Sequence, residues 1–169
     1  MNSKFLSIYE LKKLNFKKIG NGIKISRNVT IIGEENISLG SNVRIDDYTI
    51  ISAKEGYLKV GNNVHVGGLS YLGCAGGLEI EDEVNVSQGV KFYTKINDYG
   101  AYNGDNDKFF LKKIKIEKKV IIGSNSVILG SIIVGQGCTI GALSFVKKDL
   151  KKWSVYGGNP IKFIKIRKR

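Results

Sequence analysis

Proline is nearly absent from this chain, although turns are abundant. Among 169 residues there is a single proline, Pro160, against 21 glycines. Helical bundles disfavour glycine, whereas tight and repeated turns use it freely. The composition therefore favours short strands joined by turns.

Cysteine and histidine, the residues that most often bind metals, are also scarce. The two cysteines, Cys74 and Cys138, have a spacing that matches neither a metal site nor a redox pair, so we expect two reduced thiols. The only histidine is His65. One histidine per chain cannot supply a histidine-rich metal site, so we expect no bound metal.

Long apolar runs are missing as well. No run approaches the roughly 20 apolar residues that span a bilayer, and the N-terminus has no signal-peptide pattern. We therefore expect a cytoplasmic protein that forms a single domain, since 169 residues with 42% apolar content suit one core.

Positive charge exceeds negative charge, with 27 basic and 15 acidic residues giving a net charge of +12. The lysines are scattered along the chain without an interleaved aromatic stacking platform, which argues against a nucleic-acid partner. Peripheral contact of the basic C-terminal residues 162–169 with anionic lipids stays an open alternative.

An aliphatic residue recurs at every sixth position through most of the sequence. Shorter runs in one frame begin at Ile19, Leu39, Val60 and Ile80, and an uninterrupted run comprises Ile116, Ile122, Ile128, Val134, Ile140 and Val146. Three short strands with one inward aliphatic residue each can close a triangular coil, and such coils stack at roughly 4.8 Å. The pattern predicts an all-β parallel β-helix. An antiparallel barrel would need matched hairpin turns, which the frame does not provide.

Two segments interrupt or precede this frame. Ser7 and Glu10 have capping-box spacing, which predicts a short helix within an N-terminal capping segment, residues 1–18. The β-helix is expected at residues 19–150, with an excursion loop at residues 93–113 that is longer than an ordinary connection. Residues 151–169 form a basic C-terminal extension.

The chain resembles the hexapeptide-repeat acyltransferases, chiefly through residues 140–149 and 155–162. Within them it is most similar to galactoside, maltose and xenobiotic acetyltransferases and to the acetyltransferases of bacterial surface polysaccharides. The resemblance implies a left-handed β-helix, acetyl-CoA as cosubstrate, a sugar acceptor, and a homotrimer whose sites lie between subunits.

His65 is the candidate general base. The frame turns it outward, on a column that runs from Arg44 through His65 to Asn85 and then Ile121. Asn85 is a candidate donor to the developing oxyanion. The galactoside and maltose enzymes have their histidine where this chain has Asn97, and the following Asp98 is predicted to orient His65. Two alternatives stay open: an amine acceptor that loses its proton without a histidine, and an inert surface histidine.

Seven residues are candidates for binding the coenzyme because they match positions that do so in the resembling family. Gly141 and Ala142 match the turn that holds the pantetheine arm, and Ser124 matches a further contact. Lysines at or beside the positions that meet the phosphates and the adenosine end are Lys147, Lys148, Lys162 and Lys165. Ordinary solvated lysines are the alternative for these four.

The first expectation for the reaction is transfer of an acetyl group to a sugar hydroxyl in surface-polysaccharide (lipopolysaccharide or capsule) biosynthesis, because no nucleotide-binding domain precedes the coils. N-acetylation of a nucleotide-linked amino sugar is the alternative. A non-catalytic β-helix trimer is the third hypothesis.

Overall fold

The computed structural model describes residues 4–98 and 109–168 and has the predicted fold class, a left-handed parallel β-helix. The chain winds through six coils, and each coil contributes one strand to each of three flat faces. One short helix, α1 (Ile8–Lys13), and one 3-10 turn (Glu34–Asn36) are the exceptions to β structure in the described ranges.

The strands of each face pair in parallel in chain order. Face 1 contains β1 (Lys18–Ile19), β4 (Ile37–Leu39), β7 (Leu58–Val60), β10 (Leu78–Ile80), β15 (Ile114–Ile116) and β18 (Ile132–Val134). Face 2 contains β2 (Lys24–Ile25), β5 (Arg44–Ile45), β8 (His65–Val66), β11 (Asn85–Val86), β16 (Ile121–Ile122), β19 (Thr139–Ile140), β21 (Ser154–Gly157) and, antiparallel to it, β22 (Lys162–Ile166). Face 3 contains β3 (Thr30–Ile32), β6 (Ile50–Ser52), β9 (Tyr71–Gly73), β12 (Lys91–Tyr93), β17 (Val127–Leu129) and β20 (Phe145–Val146).

The six-residue repeat builds the core. All members of the uninterrupted run, from Ile116 to Val146, are at most 1% exposed, because each points inward at the same place in its coil. The compact residues four positions later fill the corners and are buried too. Cys138 is one of them, and burial raises the pKa of its thiol and that of Cys74 to about 12. Both cysteines are free thiols.

The N-terminal segment covers the first coil, whose edge would otherwise be open. The capping box predicted at Ser7 and Glu10 is formed, and α1 turns Leu11 onto the core. Hydrogen bonds from Arg27, and then from Ser7, lower the pKa of Glu10 to about 2. Helix α1 ends at Lys13, so it occupies only part of the capping segment predicted at residues 1–18.

A β-hairpin projects from the β-helix between the fourth and fifth coils, within the predicted excursion. Its strands are β13 (Lys95–Asn97) and β14 (Phe109–Leu111), which pair antiparallel. The polar run Asn103–Asp107 of the predicted loop lies outside the described residues. Within residues 4–98 and 109–168, the chain contains no helix with the length and apolar character to cross a bilayer.

Shortening one inward side chain tests the role of the aliphatic ladder. Ile116→Ala removes a fully buried side chain, and we expect it to reduce the free energy of unfolding by about 2–5 kcal/mol. The neighbouring Lys115→Ala removes an outward side chain that pairs with Glu81 at 2.9 Å, and should cost under about 1 kcal/mol. Chemical denaturation of both variants measures the difference. Equal losses would contradict the inward and outward assignment.

Candidate active site

The outward column predicted around His65 is present on face 2. Arg44 pairs with His65, His65 with Asn85, and Asn85 with Ile121. Val64 and Val66, on either side of His65, are buried, so the imidazole is forced outward. Its side chain is 42% exposed and can meet a ligand.

Both ring nitrogens of His65 have partners on neighbouring coils. Nε2 lies 2.8 Å from Oδ2 of Asp46, and Nδ1 lies 3.1 Å from Oδ1 of Asn85. Asp46 follows β5 at the edge between faces 2 and 3, where its side chain is only 17% exposed. Its other oxygen, Oδ1, accepts a hydrogen bond of 2.8 Å from Nε of Arg44.

The charge of Asp46 is maintained by these contacts. Burial raises the pKa of Asp46, but hydrogen bonds from Arg44 and His65 outweigh burial and hold the pKa below its ordinary value. The carboxylate is therefore ionised at neutral pH and accepts from the imidazole. The arrangement places an imidazole, partly exposed, between a fixed anion and an uncharged amide.

This arrangement can take up and return a proton. Asn85 can present its carbonyl oxygen to a protonated Nδ1, or turn and present its NH2 group to an unprotonated one. The Asp46 carboxylate stabilises the imidazolium that forms when Nδ1 gains a proton. These are the properties required of a general base.

The carboxylate at His65 was not the one that the sequence suggested. Asp98 follows β13 on the excursion, whereas the ring nitrogens of His65 are engaged by Asp46 and Asn85. Asp46 is the first residue after the inward Ile45, one coil before His65. The repeat frame places that position on the edge beside His65, but the contact itself depends on side-chain rotamers, which the frame does not predict. A role for Asp98 stays a prediction.

The predicted coenzyme residues Ser124, Gly141 and Ala142 lie along the same edge as Asp46, on the fifth and sixth coils. The backbone of Gly141 is used internally: its N–H donates to Tyr156, and its carbonyl accepts from Ser126 and Ser144. A Cβ at Gly141 would lie 3.5 Å from the carbonyl oxygen of Tyr156, which is an ordinary van der Waals contact. Ala142 is exposed.

The four predicted lysines separate onto two faces. Lys165 pairs with Val155, which pairs with Thr139, so Lys165 continues the outward column of His65. Lys162 lies on the same strand. Lys147 and Lys148 follow β20 on face 3 instead. All four are exposed, and their roles at a ligand stay predictions.

Face 3 carries a concave space beside the hairpin. A cavity of about 420 Å³ is lined by Tyr71, Tyr93, Lys54, Lys95 and Asn97, among others. The two tyrosine rings lie 5.3 Å apart at an angle of 40°. Among residues 4–98 and 109–168, no three His, Cys, Asp or Glu side chains group closely enough to hold a metal.

Known proteins are similar to this chain in sequence. A family model described as bacterial transferase hexapeptide (six repeats) matches residues 113–148. A dTDP-4-amino-4,6-dideoxy-D-glucose acyltransferase of Escherichia coli is 35% identical over 173 residues, which cover 98% of this chain and 90% of that protein.

Solved structures agree along the whole chain. AntD, an N-acyltransferase from Bacillus cereus, in complex with dTDP and 3-hydroxybutyryl-CoA, has a TM-score of 0.92 and 34% identity, covering 100% of this chain and 92% of its own. A point mutant of AntD in complex with dTDP-4-amino-4,6-dideoxyglucose and Coenzyme A has a TM-score of 0.93 and 32% identity, covering 100% and 93%. A hexapeptide-repeat acetyltransferase of Vibrio cholerae, 22% identical with a TM-score of 0.65 over 95% and 76%, shares the fold.

Proposed function

This chain belongs to the hexapeptide-repeat acyltransferases, and we propose that it transfers an acyl group from an acyl-coenzyme A to the amino group of a nucleotide-linked amino sugar. The observation that carries the proposal is the 35% identity, over 98% of the chain, with an acyltransferase acting on a dTDP-linked 4-amino sugar. This similarity favours N-acylation, the alternative in the sequence analysis, over the expected O-acetylation of a polysaccharide hydroxyl.

The chemistry requires one bond to form and one to break. The acceptor nitrogen bonds to the acyl carbon, and the carbon–sulfur bond breaks. The nitrogen loses a proton, and coenzyme A leaves as a thiolate that takes up a proton to become the thiol. In our proposal the imidazole of His65 takes the proton from the nitrogen. The amide of Asn85, which lies beside His65, is proposed to donate to the developing oxyanion.

The donor is proposed to lie along face 2. Lys165 is five strand spacings from His65 on the same outward column, a distance of about 24 Å. This column joins the candidate base to a positive charge suited to the phosphates of coenzyme A. Gly141 and the exposed Ala142 lie on the adjoining edge. The acyl group itself is proposed as acetyl, with 3-hydroxybutyryl as the alternative suggested by the AntD complex.

The acceptor is tested with two matched sugars. Purified enzyme is given acetyl-CoA or 3-hydroxybutyryl-CoA together with dTDP-4-amino-4,6-dideoxyglucose, or with the dTDP-sugar that carries a hydroxyl at that carbon. We expect thiol release with the amino sugar and none with the hydroxyl sugar. The mass of the product should include the acyl group, and the product should resist mild alkali. Turnover of the hydroxyl sugar alone would restore the O-acetylation hypothesis, and no turnover of either would favour a non-catalytic trimer.

Removing the imidazole tests the base. His65→Ala should lower turnover about a hundredfold to ten-thousandfold, the usual contribution of a positioned base, while coenzyme affinity changes little. Asn85→Ala should have a smaller effect on turnover. Initial rates and calorimetry with coenzyme A separate the two quantities. Near-normal turnover of His65→Ala would show that the amine loses its proton without the histidine.

The position of the phosphates is tested by charge removal on opposite faces. Lys165→Ala should weaken coenzyme A binding several-fold at low salt, and the loss should shrink at high salt because screening weakens the attraction. Lys115→Ala removes the same charge from face 1 and serves as the matched control. Equal effects of the two substitutions in calorimetry would argue against a coenzyme site on face 2.

We also propose a homotrimer, in which face 3 and the hairpin strands β13 and β14 are buried between subunits. The face exposes apolar side chains in two columns, with Ile50 (41%) on one and Ile32 (42%) and Tyr93 (38%) on the other. Phe145, partly buried, ends the Ile50 column. Sedimentation should give three times the chain mass of 18.6 kDa, and Ile50→Glu should shift the population toward monomers. A monomer at micromolar concentration would overturn the proposal.

A further inference from the structure

We propose that Asp46, held by Arg44, is a positioning residue that keeps the neutral imidazole of His65 protonated on Nε2, and thereby makes Nδ1 the nitrogen that accepts the proton. The catalytic half of this inference rests on the proposed function. The assignment of the proton within the resting enzyme does not.

The carboxylate of Asp46 is engaged at both oxygens. Oδ1 accepts from Nε of Arg44 at 2.8 Å, and Oδ2 faces Nε2 of His65 at 2.8 Å. An ionised carboxylate accepts hydrogen bonds and donates none, so the nitrogen facing it must bear the proton. The side chain is 17% exposed, which limits competition from water for these contacts.

Arg44 is itself held in place. Its guanidinium lies over the ring of Phe5, 5.7 Å from the centroid, and Phe5 forms a β-bridge with Ser26. An arginine is a donor only, so whatever atom faces its Nε must be an acceptor. Arg44 therefore determines which end of the side chain at position 46 it binds, and leaves the other end to His65.

The other ring nitrogen of His65, Nδ1, faces an uncharged side chain instead of a carboxylate. Strand β11 presents the uncharged Asn85 to Nδ1 at 3.1 Å, whereas strand β5 and the residue after it present Arg44 and Asp46. The amide of Asn85 can turn to suit either state of Nδ1. Nδ1 is thus the nitrogen whose protonation the surroundings permit to change, and the proton on Nε2 stays in place.

An isosteric substitution at position 46 tests whether the side chain there determines the tautomer of His65. In Asp46→Asn, Arg44 retains the carbonyl oxygen, so the NH2 group must face Nε2 and donate to it. The imidazole proton then moves to Nδ1, and the nitrogen that should accept a proton has no free lone pair. We expect turnover to fall about a hundredfold to ten-thousandfold, through a wrong tautomer and with little change in KM.

Releasing the amide should reverse part of this loss. In the double variant Arg44→Met with Asp46→Asn, nothing requires the carbonyl oxygen to face position 44, so the amide can turn and accept from Nε2 again. The double variant should be about tenfold more active than Asp46→Asn alone, a coupling typical of residues in one hydrogen-bond network. Arg44→Met alone should lose less turnover than Asp46→Asn, because the carboxylate still accepts from Nε2 although the guanidinium no longer holds it. A residue with a purely structural role would give losses that add.

Nitrogen NMR of tag-free protein labelled with 15N-histidine reads the proton position directly, since His65 is the only histidine. At alkaline pH we expect the proton on Nε2 in the native chain, on Nδ1 in Asp46→Asn, and again on Nε2 in the double variant. A native chain protonated on Nδ1, or an Asp46→Asn variant with unchanged tautomer or turnover, would overturn the inference. If the tautomers change as expected but the amino sugar is never acylated, the positioning role stands and the proposed function fails.

Discussion

The stacking of coils is the constraint on which the rest of this structure depends. A parallel β-helix requires every coil to place an aliphatic side chain inward at one position, and the coils then lie about 4.8 Å apart. Outward residues must stack with the same spacing, so whatever follows an inward residue in the frame forms a column. The core therefore arranges the site: Val64 and Val66 are buried, and His65 is consequently held between Arg44 and Asn85.

The same constraint explains how much the sequence could predict. The parallel β-helix and the outward column follow from periodicity, because they depend on position within the repeat and not on side-chain conformation. The left hand of the helix was predicted from the family resemblance. Asp46 was missed because its contact with His65 is diagonal, reaching from an edge position to the next coil, and depends on side-chain rotamers. The sequence also did not show that the backbone groups of Gly141 bond to Tyr156, Ser126 and Ser144, because these contacts form only when the coils close. A role for Gly141 in binding the coenzyme stays a prediction.

The choice of acceptor shows a different limit. A base beside an amide suits a hydroxyl and an amine equally well, so neither the repeat nor the geometry of His65 separates O-acylation from N-acylation. Similarity to an acyltransferase of a dTDP-linked 4-amino sugar favours the amine, which is the basis of the proposed N-acylation. The outward column of face 2 is independent of this similarity. It extends about 24 Å from the His65 imidazole, which contacts Asp46, to the positive charge of Lys165.

The central claim is that acyl transfer takes place at the face 2 column. A crystal structure of the enzyme with coenzyme A and dTDP-4-amino-4,6-dideoxyglucose tests it most directly. The account predicts the amino nitrogen of the sugar within about 2.6–3.2 Å of Nδ1 of His65, in place of the Asn85 amide, with the coenzyme sulfur beside it and the phosphates toward Lys165. A ternary complex in which the sugar nitrogen and the coenzyme sulfur meet elsewhere, with His65 facing solvent, would contradict it.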